Sequence, residues 1–191
     1  MRVTAACLFL AVIIVAFSIF SLNLMGKTVS GLKDDYIIVP DDYGSIQEAI
    51  NNANDGQTIY VRSGVYYERL IINKTLRIIG ESRETTIIQG NGGILVKILS
   101  NNVTFSGFWL RDGETAIYFN GVENCQIIDN KFVNFSQYAT YTGGVAIYGV
   151  NCNNLTITGN FFTEIAYFNI LLTSASNCYI ANNTFISTRR M

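Results

Sequence analysis

Apolar and polar residues alternate in short runs through most of this chain, and one nine-residue pattern recurs. The copies begin at Asn102 (NVTFSGFWL), Asn124 (NCQIIDNKF), Asn154 (NLTITGNFF) and Asn177 (NCYIANNTF). With the Asn as position zero, position one is Val103, Cys125, Leu155 or Cys178, and position three is Phe105, Ile127, Ile157 or Ile180. Alternation with a period of two is that of a strand whose side chains point to opposite faces. Position five is Gly107, Asp129, Gly159 or Asn182, residue types that tolerate a left-handed backbone, so the strand should turn there. Position eight, Leu110, Phe132, Phe162 or Phe185, is apolar again. A weaker copy starts at Thr75, with Leu76, Ile78 and Gly80 in register. The spacing of about 22 to 30 residues is that of a stacked solenoid repeat. The pattern predicts an all-β parallel solenoid, a β-helix of about five or six coils with three short strands in each.

A second strand precedes each copy. Seven residues before the Asn stand Leu95, Ile117, Ile147 and Ile170, expected inward. Val96, Tyr118, Tyr148 and Leu171 follow and are expected outward, although Lys97 interrupts the inward column. The Asn residues at position zero, Asn102, Asn124, Asn154 and Asn177, are expected to form a buried amide ladder along the axis.

Residues 38–72 follow a different pattern. Ile37–Pro40 reads as a short strand. Ser45 and Glu48 fit a capping box, and Ile46, Ala49, Ile50 and Ala53 form an apolar stripe at helical spacing. The pattern predicts a capping helix over 45–54 that closes the open end of the solenoid and covers its edge, with coils over 57–188.

The uncharged run at residues 3–25 after Arg2 has the length of a signal peptide or of an uncleaved membrane anchor. This divides the chain into a leader or anchor (1–26), a linker (27–36) and a β-helix domain (37–191). It also predicts an extracellular or surface location with membrane contact through the N-terminal segment. Net charge is −1 with no basic cluster, which argues against nucleic acid as a partner. The chain contains no histidine, the commonest metal ligand and the usual base near neutral pH. Cys125, Cys152 and Cys178 are expected as reduced, mostly buried thiols. Of five N-x-S/T sequons, Asn73 and Asn134 are placed in loops as candidate glycosylation sites. Asn102 and Asn154 are assigned to the buried ladder.

The string SIQEAINNANDGQTIYVRSGVYYERLIINKTLRIIGES resembles the cap and first coils of parallel β-helix proteins in the pectin-lyase-like superfamily. The later NCxI…NxF copies are similar to NosD-type and carbohydrate-binding/sugar-hydrolase (CASH) repeats. The resemblance implies a right-handed single-stranded parallel β-helix over about residues 38–186, often on exported surface proteins. Pectin methylesterases have a similar opening, but their later QDT, DFIFG and LGRPW motifs are absent. A DPHD-like epimerase motif is excluded by the lack of His.

Acidic residues in the repeats have ordinary structural readings. Asp129 sits at the turn position, Asp112 and Glu114 flank Gly113 in a turn, and Arg111 beside Asp112 is an isolated pairing. These patterns assign no catalytic residue, cofactor or metal. The NosD resemblance raises copper-enzyme maturation, which the Cys spacing does not support. Tyr118 and Tyr148 should stack outward in consecutive coils, where they would pack on sugar faces or simply stabilise the sheet. Tyr141, with Tyr138, Tyr167 and Phe168, would extend that patch. The expected function is a noncatalytic surface module binding a glycan or another surface partner. The alternatives are a polysaccharide-active enzyme and an adhesive spacer. The chain ends soon after Phe185, which raises end-to-end self-association through the last coil.

Overall fold

The structure is a computed structural model that describes residues 36–136 and 144–186. The expectations for residues 1–35, for Tyr138 and Tyr141, and for the terminal residues 188–191 lie outside the described residues. A short strand, β1 (Tyr36–Val39), and one helix, α1 (Ile46–Asn52), come first. The first coil is β2 (Thr58–Val61), β3 (Gly64–Tyr66) and β4 (Leu70–Ile72). The second is β5 (Arg77–Gly80), β6 (Thr86–Gln89) and β7 (Ile94–Ile98). The third is β8 (Thr104–Ser106), β9 (Trp109–Gly113) and β10 (Thr115–Asn120). The fourth is β11 (Gln126–Ile128), β12 (Lys131–Phe135) and β13 (Val145–Val150), and the fifth β14 (Thr156–Thr158), β15 (Phe161–Ile165) and β16 (Phe168–Thr173). Strands β17 (Tyr179–Ala181) and β18 (Thr184–Ile186) begin a sixth. The coils stack into three sheets of seven, five and six strands, and every coil-to-coil pairing from β2 onward is parallel.

The repeat accounts for this geometry. Position-three residues Phe105, Ile127 and Ile157 are fully buried and lie in register in the seven-stranded sheet. Position eight forms an inner aromatic stack, with Phe132 and Phe162 ring centres 4.8 Å apart and Phe162 and Phe185 5.1 Å apart. All four residues at position five are left-handed, with φ of 78°, 55°, 70° and 56°, as their types require. At Gly107 a Cβ would meet the Gly80 carbonyl oxygen at 2.4 Å, so no side chain fits there. Ile180 and Phe185, core positions in earlier coils, are 46% and 51% exposed in the last described coil.

The position-zero Asn residues depart from expectation. They are exposed, not buried, and all four are left-handed, with φ of 53–58°. Asn154 donates to Asn124 Oδ1 at 2.7 Å, but Asn177 donates to Asn153 and no continuous ladder forms. The buried ladder lies six residues later. Asn130 and Asn160 are essentially inaccessible. The backbone N–H groups of Phe108, Asn130 and Asn160 donate to the Oδ1 of Asn130, Asn160 and Asn183. The Nδ2 groups of the same three Asn donate back to the carbonyls of Phe105, Ile127 and Ile157 at 2.8–3.0 Å. Asn here joins successive coils by satisfying buried backbone groups that the turn leaves unpaired.

The capping helix is clamped at both ends by side chains of the first coil. Ser45 Oγ accepts from Glu48 N, as the capping motif predicts. The Glu68 carboxylate accepts from the N–H groups of Ile46 and Gln47, and Lys74 Nζ donates to the carbonyls of Ile50, Asn51 and Ala53. These charges also complement the helix dipole. Gln47 pairs through its amide with both backbone groups of Ile71, so α1 covers the free edge of β4.

Candidate functional site

The outward face of the five-stranded sheet carries one continuous column: Ile71, Lys97, Tyr118, Tyr148 and Leu171, each in register with the next. The Tyr118 and Tyr148 rings lie 5.6 Å apart and are tilted by 56°, and both residues are half-buried. Their in-register pairing is as the sequence predicts. The neighbour on one side is Lys97, not Val96, which pairs with Ile117 and is buried. The corner after β7 is one residue shorter than its counterparts, so counting back from Asn102 slips the register by one. Lys97 is exposed and sits where it can meet a ligand lying along the tyrosines. Beside it is a cavity of about 370 Å³ bordered by Arg69, Ile71, Ile94, Lys97, Glu114 and Thr115 among others. Tyr167 and Phe168 are exposed at the start of β16.

Trp109 lies on a different sheet and is not open in this way. Lys131 Nζ sits 4.1 Å from its ring centre, and the Arg111 guanidinium 5.3 Å away. Lys131 is held there by Glu84 at 2.6 Å. The ring's face is therefore occupied by cations of the chain itself.

The acidic residues are mostly tied into structure. One Asp112 oxygen accepts from Gln89 and meets Arg111 Nε at 3.0 Å, and the other accepts from Asn134. Arg111 Nε also donates to Gln89 Oε1. Asp129 holds the left-handed turn and accepts from Arg83 at 2.7 Å. Arg83 also donates to the Gly159 carbonyl, so its loop reaches across the third coil to the fourth and fifth. Glu123 is bridged to Asn153 and through it to Ser176. Asp112, Glu114 and Arg69 do share a second cavity of about 550 Å³ on the flank of the second and third coils.

Cys125, Cys152 and Cys178 are free thiols, the first two buried. Each donates to a backbone carbonyl, of Ser100 and Glu123, of Val150, and of Ser176 respectively. Burial pushes the Cys125 thiol up to about 11 and raises that of Cys152.

A family model described as periplasmic copper-binding protein (NosD) matches residues 50–190. The chain belongs to the NosD family. Two curated relatives share part of the repeat. A cell surface glycoprotein of Methanothermus fervidus is 34% identical over 107 residues, covering 53% of this chain and 18% of the relative. A probable pectinesterase/pectinesterase inhibitor of Arabidopsis thaliana is 31% identical over 90 residues, covering 41% of this chain and 16% of the relative. The chain thus spans under a fifth of either relative's length. Among solved structures, an alginate lyase of a Paenibacillus species superposes with a TM-score of 0.58 at 11% identity, covering 73% of this chain and 63% of that one. A pectin methylesterase bound to a hexasaccharide gives 0.50 at 16% identity, covering 78% and 64%. These structures share the pectin-lyase-like β-helix fold.

The family description implies copper, and the described residues of this NosD-family chain do not fit it. Copper takes thiolate, thioether or imidazole donors. Here the Cys125 and Cys152 thiols are buried and each already donates to a backbone carbonyl. Among the described residues no three His, Cys, Asp or Glu side chains are grouped to hold a metal ion.

Proposed function

We propose that this chain is a noncatalytic module of an exported or surface protein, and that it binds carbohydrate on the outward face bearing Tyr118 and Tyr148. The observation that carries the reading is the tyrosine pair in register with Lys97, flanked by the 370 Å³ cavity. Half-exposed tyrosines on adjacent coils offer ring faces at strand spacing and hydroxyls at their rim, which suits stacking on a sugar chain. Lys97 adds a donor and a positive charge at one end of the column. The tied oxygens of Asp112 favour a structural role for the acid most nearly paired with a base. A surface location is supported by the cell surface relative and by the periplasmic description of the family. Delivery through the apolar N-terminal segment belongs to the same proposal.

A glycan array with the wild-type chain and the Tyr118→Ala/Tyr148→Ala double variant tests the reading. Binding by the wild type that falls at least tenfold in the folded double variant is expected. Equal binding by both, or none by the wild type, rejects it. The second reading, a polysaccharide-active enzyme, rests on Asp112 and Glu114 bordering the 550 Å³ cavity with Arg69. Release of reducing or unsaturated sugars from uronate polymers, lost in Glu114→Gln, would establish that reading instead.

A further inference from the structure

The five sequons of the chain are chemically unequal once folded. N-linked glycosylation uses the side-chain amide nitrogen as nucleophile, and the finished glycan must stand clear of the protein surface. Asn134 is half-buried in β12 and its Nδ2 donates to Asp112. Asn154 is exposed, but its Nδ2 donates to Asn124 Oδ1 at 2.7 Å. Asn73, Asn102 and Asn182 differ. Each is exposed, and among the described residues none has a side-chain hydrogen bond. Asn102 and Asn182 occupy left-handed corners, with φ of 58° and 56°, and stand out from the strands that flank them.

We propose that Asn73, Asn102 and Asn182 are N-glycan carriers and that Asn134 and Asn154 are not. In the transfer, Nδ2 forms a bond to the anomeric carbon of a lipid-phosphate-linked oligosaccharide. The anomeric carbon–oxygen bond breaks, the lipid phosphate leaves with the bonding pair, and the amide gives up one proton. The carriers are placed unevenly around the solenoid. Asn73 and Asn102 lie at the corner that follows the five-stranded sheet, just after Ile71 and Lys97. Neighbouring coils are roughly 4.8 Å apart, so two glycans on adjacent coils coat that edge. The corners after Tyr118 and Tyr148 hold Asn124, which has no sequon, and Asn154, whose amide is engaged. The coat therefore lies on the corner beyond Ile71 and Lys97, beside the sheet face rather than over it, and leaves the tyrosine pair open. This inference does not depend on the carbohydrate-binding reading.

The test is glycopeptide mass spectrometry on the full chain secreted from a cell with N-glycosylation. Occupancy at Asn73, Asn102 and Asn182 and bare peptides at Asn134 and Asn154 are expected. The Asn102→Asp variant, which keeps a residue tolerant of the left-handed corner, should lose the mass of one glycan. Thr104→Ala, which removes the sequon and leaves Asn102 in place, should give the same loss. Bare Asn102 in a wild-type chain glycosylated elsewhere would overturn the proposal, as would a glycan on Asn134.

Discussion

Asn130 and Asn160 lie in a column where amide groups meet backbone partners of the next coils, whereas Asn102, Asn124, Asn154 and Asn177, six residues earlier in each repeat, stand in solvent. The residue type is the same and the physical reason for it is not. In the inner column Asn is used for its paired donor and acceptor, which reach N–H and C=O groups that no water can reach. In the outer column it is used for its tolerance of a left-handed backbone. The inner column should therefore respond to loss of the amide, and the outer column to loss of tolerance for a left-handed backbone.

The largest effect is expected inside. Asn130→Ala removes the acceptor for Phe108 N–H, which is left buried without a partner, and one donor to the Phe105 carbonyl. An unsatisfied buried polar group costs about 1–3 kcal/mol, so the variant should lose about 1–3 kcal/mol in urea unfolding. Asn160→Ala should behave alike. A loss under about 1 kcal/mol in both would show that the ladder does not hold the coils together.

The next effect separates the exposed Asn124 from its buried neighbour Cys125. Burial raises the folded-state thiol to about 11, above its ordinary value of 9.0. The unfolded chain therefore releases the proton first, and the stabilising contribution is complete below about pH 9. It is lost as pH rises from about 9 to about 11, by up to about 2 kcal/mol. Cys125→Ala should flatten that part of the stability profile. Thiol alkylation of the folded chain at pH 8 should be slow at Cys125. An unchanged slope in Cys125→Ala would assign the alkaline loss to other groups.

In the outer column the sign depends on the backbone alone. Asn124→Val places a β-branched residue at a φ of 58° and should cost about 1–2 kcal/mol. Asn124→Gly suits that φ and should change stability by less than about 0.5 kcal/mol, despite losing the amide contact with Asn154. If Gly proved as costly as Val, the exposed amide pair would matter more than the left-handed turn.

Much of this was legible in the alternation of residues. Positions one and three point inward, position five turns, and only Gly, Asp and Asn occupy it. The inner ladder was also within reach. Position eight is inward, and a period of two then places position six inward as well, where Asn130, Asn160 and Asn183 stand. It was masked by Phe108 at that position in the first copy and by the more uniform Asn at position zero. Uniformity there reflects backbone conformation, which a buried-ladder reading mistakes for packing. The tyrosine pair could be read because both tyrosines stand six residues before an Asn of the repeat. Lys97 was misplaced because one corner is a residue short, and a single shift moves every side chain to the other face. Glu68 and Lys74 clamping α1 left no local signal, since each acts on backbone more than twenty residues away in sequence.

The smallest effect lies at position five, between the two columns. Arg83 reaches from the second coil to Asp129 in the fourth and to the Gly159 carbonyl in the fifth. The residue at position five of the intervening third coil is Gly107, which carries no side chain. Asp129 is well exposed, so the pair is screened by solvent and should contribute under about 1 kcal/mol. Arg83→Ala should cost that little at low salt and nothing measurable at about 1 M salt, where the Debye length is about 3 Å. A loss of several kcal/mol that persists at high salt would mean that Arg83 acts through the part-buried carbonyl contact. It would then belong with the inner asparagines, as a strap binding three coils, rather than with the solvated surface.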